Sequence, residues 1–323
     1  MRTRLLAIAL AASVILPTPA LAQEAEVPYP ARVRSHWGGL PLTAATLSTL
    51  MPGLGHLAIG EVGPAAGAFA ATAAPLYLAS INAPPVVFAD LPEARSSLWA
   101  LTAQEVWFMQ AYLAYMAARK QIDNQGYTQP YRAPSVPDLL LAPAKPEHLS
   151  DWRVWTTVWL AVVSNVLLEM AMPDPPQAET PYVFGAKQAY LGGRPVPVEW
   201  GYGAHVFGSG VLSAHAGIGE EVFFRGVIQD EAERHLGPWG GLAVGSSLFG
   251  LVHVGGINQT SPAKQFLATG LGGLYLGGLY RLTGHDLEKA IAAHTYYDIV
   301  AFSLSGLYPL TRGNNVFGLQ YDF

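Results

Sequence analysis

The stretch Ile218-Gly219-Glu220-Glu221-Val222-Phe223-Phe224-Arg225-Gly226-Val227-Ile228 sets three charges within six residues of an apolar run. Inside a bilayer a charge at a helix centre costs about 2.5–3.5 kcal/mol on insertion scales, so such charges need partners or a task. Helical geometry supplies a partner for two of them. Residues four apart share a face, so Glu221 and Arg225 can pair along their own helix. Glu220 sits about 100° round from Glu221 and cannot use that contact equally well. The spacing therefore gives Glu221 and Arg225 a supporting role and leaves Glu220 to face a cavity.

The rest of the chain says why a bilayer is the setting. Of 323 residues, 51% are hydrophobic and only 13% charged, against roughly 25% charged in average soluble domains. Mean hydropathy is +0.25. The net charge of -5 gives no nucleic-acid footprint. There is no cysteine, which excludes disulfides, cysteine lipidation and thiolate metal ligands, so any metal would need His and carboxylate. Arg2 and Arg4, the apolar run Leu5 to Leu16 and Ala20-Leu21-Ala22 read as a cleaved secretory signal over 1–22. The alternative is an uncleaved first span. The expected location is a bacterial inner membrane.

A spanning helix needs about 20 mostly apolar residues. Candidates lie near 41–60, 63–81, 97–118, 152–172, 203–229, 238–257, 265–282 and 287–308. The fold class expected is all-α, a polytopic transmembrane bundle of about eight spans. Met51-Pro52-Gly53-Leu54-Gly55 predicts a kinked or re-entrant pair at the first of them. Strand patterns are nearly absent. The tail from Val316 could form a short extended piece, but no alternating strands precede it, which rejects a barrel. Arg119, Lys120, Arg132, Lys145 and Arg153 place their connection in the cytoplasm, with Arg281 and Lys289 on the same side. The stretch 173–200 and the C-terminus are then periplasmic. A proline-rich connection divides an N-terminal module of unknown role, 23–150, from a C-terminal half, 151–308, followed by a tail, 309–323. The glycines from Gly270 to Gly278 predict close helix packing.

Two further polar elements interrupt this half. Phe249-Gly250-Leu251-Val252-His253 ends an apolar helix, and a lone histidine there is more often a satisfied core residue. His294-Thr295-Tyr296-Tyr297-Asp298 puts an imidazole and a carboxylate one turn apart on one face. Together, Glu220, His253, His294 and Asp298 could activate water or stabilise an oxyanion. They could equally be a buried polar network that only ties helices together. The residues alone leave both readings open.

The order Glu220-Glu221-x-x-x-Arg225, Phe249-x-x-x-His253 and His294-x-x-x-Asp298, with Gly277-Gly278-Leu279-Tyr280-Arg281-Leu282-Thr283-Gly284 between, resembles the CPBP family of intramembrane metalloproteases. That family includes CAAX prenyl endopeptidases of the Rce type and bacterial Abi proteins linked to bacteriocin immunity. The likeness covers roughly 152–308. It implies an intramembrane endopeptidase acting on peptide or protein substrates in or at membrane lipid. It implies Glu220 as general base with His253 beside it, and His294 with Asp298 on the oxyanion side or in a metal site. Glu221, Arg225 and Phe249 would support them. The family's fourth position is often Asn, and an ionised Asp298 cannot donate a hydrogen bond. Two cofactor readings follow from the likeness: zinc on Glu220, His253, His294 and Asp298, or a metal-free glutamate mechanism. The zincin His-Glu-x-x-His helix is absent. A catalytically silent scaffold or immunity-type protein on the same fold is the alternative function.

Overall fold

A computed structural model describes residues 40–82, 91–127, 129, 131–173, 181–254, 261–307 and 319–322. The expected signal, 1–22, and most of the tail lie outside the described residues. The architecture is an all-α bundle with one small sheet. In the N-terminal part, α1 (Leu40–Leu50), α2 (Leu54–Ala58), α3 (Val62–Asn82) and α4 (Leu91–Gln121) follow one another. The break between α1 and α2 is the kink that Pro52-Gly53 predicted. Gly53 has φ 86°, and a Cβ there would lie 2.3 Å from Ala65 O, so this turn requires glycine.

Short helices α5 (Val136–Leu141) and α6 (Pro146–Leu149) lead to α7 (Trp152–Ala171). Ser135 and Asp138 form a capping box on α5, and Asp151 caps α7 by accepting from Arg153 N. Strands β1 (Gln188–Leu191) and β2 (Arg194–Val196) form a hairpin, and β3 (Leu319–Asp322) pairs antiparallel with β1 on its other edge. The described part of the expected tail is thus extended.

The C-terminal half is built on α8 (Val198–Phe223), a π-helix (Phe224–Gln229) and α9 (Asp230–Val252), then α10 (Pro262–Leu282) and α11 (Leu287–Ser305). The helix begun at Val198 runs past its expected end at 229. It reverses at Gly237 (φ 77°, ψ 174°), with Pro238 opening the returning limb. That limb packs back on the π-helix, Gly245 lying 3.2 Å from Gln229 Cβ at its missing Cβ. The expected glycine packing is realised by Gly273 and Gly277, whose Cβ atoms would meet Ser246 Cα at 3.1 Å and Gln229 Oε1 at 2.5 Å. Gly272 and Gly278 face open space.

The described residues of the eight expected apolar segments are mostly helical, the first being broken between α1 and α2. Two described helices are long and apolar enough to cross a membrane, Val62–Ile81 and Trp152–Ala171. They expose Phe69, Tyr77 and Ile81, and Trp159, Val166 and Met170, outward. Of the other long helices, α8 carries several glycines together with Glu199, Glu220 and Glu221, and α11 carries Glu288, Lys289 and Asp298. One buried cluster joins Met109, Tyr112 and Tyr115 of α4 to Ile218, Val222, Val227 and Ile291. A second joins Val154 and Val158 of α7 to Leu276, Ala293 and Tyr296. At one end of the bundle Arg119 pairs with Asp230 at 2.8 Å, Lys289 with Asp151 at 2.9 Å and Arg281 with Glu233 at 3.6 Å. Arg119, Arg281 and Lys289, three of the basic residues that the sequence assigns to one side, are thus each paired with an acid. At the other end, Val183 N donates to Leu307 O and Lys187 N to Asp322 O.

Candidate functional site

Four helices bring the sequence-selected residues together. Late in α8, Glu221 is fully buried, and its Oε1 accepts from Arg225 Nη1 at 2.9 Å. This is the same-face pair that the four-residue spacing predicted. The same oxygen also accepts from His294 Nδ1 of α11 at 2.8 Å. Arg225 completes its contacts by donating Nη2 to Gly273 O at 3.1 Å, an approach left open by the glycines of α10. Its guanidinium lies 4.5 Å from the centroid of Phe249, whose ring also meets His253 at 4.6 Å and His294 at 5.8 Å. Phe249 is thus the apolar floor under both histidines. Arg225 itself sits in the π-helix, a local widening that is common at functional sites.

His253 follows the end of α9, and its Nδ1 lies 2.7 Å from Phe249 O. A carbonyl only accepts, so Nδ1 carries the proton there. By the same logic His294 Nδ1 carries a proton toward the Glu221 carboxylate. Both Nε2 atoms therefore point inward. His253 Nε2 lies 3.5 Å from Glu220 Oε2. His294 Nε2 lies 4.0 Å from Glu220 Oε2 and 3.6 Å from Asp298 Oδ2. Glu220 Oε2 has no hydrogen-bond partner among the described residues.

The consequence is chemical. With neutral imidazoles, Glu220 Oε2, His253 Nε2, His294 Nε2 and Asp298 Oδ2 are all acceptors, and they face one another. Such a niche suits a species that brings hydrogens or positive charge. A water off the line between Glu220 and His253 can donate to both, since two bonds of about 2.8 Å span such a gap. The side-chain exposures are 16% for Glu220, 15% for Asp298 and 30% for His253, so the niche has an open side at His253. Imidazole and carboxylate donors suit zinc by type. As arranged, however, no group of three or more such side chains among the described residues could hold a metal ion.

The structure gathers Glu220, Glu221, Arg225, Phe249, His253, His294 and Asp298 into one site. What the sequence did not reveal is the Glu221–His294 bond. Seventy-three positions separate those residues, and the i, i+4 pattern already gave Glu221 a partner. A family model described as type II CAAX prenyl endopeptidase Rce1-like matches residues 203–300. That segment contains every residue of the site and leaves α1 to α7 outside. No curated protein and no solved structure matches the chain.

Proposed function

We propose that this chain is a CPBP-family intramembrane endopeptidase, which hydrolyses peptide bonds of membrane-associated substrates with a water held by Glu220 and His253. The observation that carries this reading is the inward-facing set of acceptors around Glu220 Oε2. Acceptors hold a water by its hydrogens and leave its lone pair free to attack. Glu220 takes the proton as the water oxygen bonds to the substrate carbonyl carbon. The C–N bond then breaks, and the proton passes to the leaving nitrogen, giving a carboxylate and an amine. His294 and Asp298 line the opposite side of the niche, where the carbonyl oxygen gains charge. His294 as the imidazolium, with Nδ1–H on Glu221 and Nε2–H toward the carbonyl oxygen, is the donor there, whereas the neutral ring with Nε2 as an acceptor and an ionised Asp298 are not. Glu221 fixes the His294 ring, and Arg225 balances Glu221.

The two apolar helices and the charge-poor composition favour a membrane setting, and the eight-span bundle in a bacterial inner membrane belongs to this proposal. The test is Glu220→Gln, nearly isosteric, in liposomes carrying an end-labelled membrane peptide. Turnover is expected to fall about 10²–10⁴-fold, the worth of a general base, with the variant still inserted. Full retention of function by Glu220→Gln would instead favour a silent scaffold.

A further inference from the structure

Helix α4 lies outside the segment matched by the family, yet from Glu105 onward it runs beside α8 and the π-helix. Its side chains at three- and four-residue spacing meet α8, the π-helix and the start of α9. The Glu105 carboxylate accepts from His215 Nδ1, and Glu105 Cα lies 2.9 Å from where a Cβ on Gly219 would be. Phe108 stacks on Phe223 with centroids 4.6 Å apart and planes 8° from parallel. The Tyr112 ring lies 2.7 Å from the missing Cβ of Gly226. Tyr115 OH donates to Glu231 at 3.1 Å, and Arg119 pairs with Asp230. These contacts bracket Glu220, Glu221 and Arg225. Gly219 is the residue immediately before Glu220.

The geometry points to Glu105 as a positioning residue for the reaction: paired with His215, it sets the rotation and depth of α8 and so aims Glu220. This rests on the function proposed above. The physical reason is directionality. Apolar burial is non-directional, so the rings and small residues beside Glu220 fit several neighbouring registers, the directional pairs of Tyr115 and Arg119 lying about three turns farther along. A buried carboxylate must reach one donor, and Glu105 is only 7% exposed. Buried polar pairs are weak stabilisers, and their best-attested use is to fix register. A misplacement of about 1 Å at a reacting group can cost about 10²-fold in rate. A positioning task of this kind also assigns a role to the N-terminal module.

The decisive variant is Glu105→Leu with His215→Leu, which removes both polar partners together. A register device predicts an inserted, folded protein with KM within about threefold of the parent and kcat lower by about 10–100-fold. A mere tie between helices predicts unchanged kcat. Register is read separately, because the chain has no cysteine of its own. Phe108→Cys with Phe223→Cys, treated with a short bis-maleimide, should cross-link in the parent and lose most of that yield in the Leu/Leu background. Unchanged cross-linking with unchanged kcat overturns the inference. Absence of proteolysis in the parent would overturn the proposed function, while the cross-link would still decide the register. Should the double variant fail to insert, Glu105→Gln, which keeps an acceptor for His215, is expected to retain the cross-link and at least about a third of kcat. Loss of both in that variant also overturns the inference.

Discussion

Glu221 Oε1 accepts from His294 Nδ1 at 2.8 Å and from Arg225 Nη1 at 2.9 Å. One fully buried oxygen therefore holds an imidazole of α11 in place and balances a guanidinium of its own helix. Its position in the sequence suggested only the second task. The geometry makes it the hinge between the charge balance of the site and the orientation of its chemistry.

The two tasks are separable by mutation. Glu221→Ala strands the buried Arg225 charge and is expected to cost about 3–5 kcal/mol, as removing one partner of a buried pair does. Adding Arg225→Met removes the stranded charge and is expected to recover most of that loss in thermal unfolding of the detergent-solubilised protein. Turnover should stay low in both, because His294 still lacks the acceptor that fixes its ring. Recovery of turnover along with stability would show that Glu221 does not orient His294.

The legibility of the chain follows a physical division. Helices read out of the sequence because apolar runs and 3.6-residue periodicity are local. Glu221–Arg225 read out because both residues lie on one turn. Glu221–His294 and Glu105–His215 did not, since each joins residues on different helices and no spacing rule links them. The extension of the helix past 229 was hidden by Asp230, Glu231 and Glu233, which look like a solvated loop. In the structure these acids are buried, with donors from distant segments: Arg119 and Tyr280 for Asp230, Tyr115 and Tyr127 for Glu231, Gln129 and His285 for Glu233.

Two adjacent glycines of α10 should respond in opposite directions. A Cβ at Gly277 would lie 2.5 Å from Gln229 Oε1 and 2.7 Å from Leu242 Cδ1. Gly277→Ala is therefore expected to destabilise by about 1–3 kcal/mol through overpacking. A Cβ at Gly278 meets nothing within 4 Å. Gly278→Ala should be neutral or stabilising by up to about 1 kcal/mol through helix propensity. Thermal melts of the two single variants, compared with the parent, check the sign of each.

Asp151 gives a pH dependence with a definite sign. It caps α7 and pairs with Arg153 at 2.8 Å and Lys289 at 2.9 Å. The hydrogen bonds from Arg153, then those from Lys289, hold its carboxyl well below the usual range despite partial burial. A depressed carboxylate stabilises the fold fully above its unfolded value, about 3.9, and loses that contribution as pH falls below it. Asn keeps the cap but not the charge. Asp151→Asn is expected to cost about 1 kcal/mol at pH 7, with the gap to the parent closing as pH falls below about 4. A gap in melting temperature that stays constant from pH 7 to pH 3 would contradict this account.

His253 separates the enzyme from a scaffold on the same fold. Its described polar contacts are the Phe249 carbonyl and the approach to Glu220, and its side chain is 30% exposed. Little of the bundle depends on it, so His253→Ala should cost about 1 kcal/mol, the net worth of a typical hydrogen bond. The water niche depends on it far more, because Nε2 is one of the acceptors that orient the attacking oxygen. Turnover is expected to fall about 10²–10⁴-fold. Gln in place of His253 supplies an acceptor through Oε1 and should recover part of that loss, because the task assigned to His253 is to accept from the water and not to take its proton. A scaffold would show the reverse pattern, with biological function tracking the small change in stability. Parallel measurement of melting temperature and peptide turnover in the three proteins distinguishes the two, because a residue that only filled space would move both quantities together.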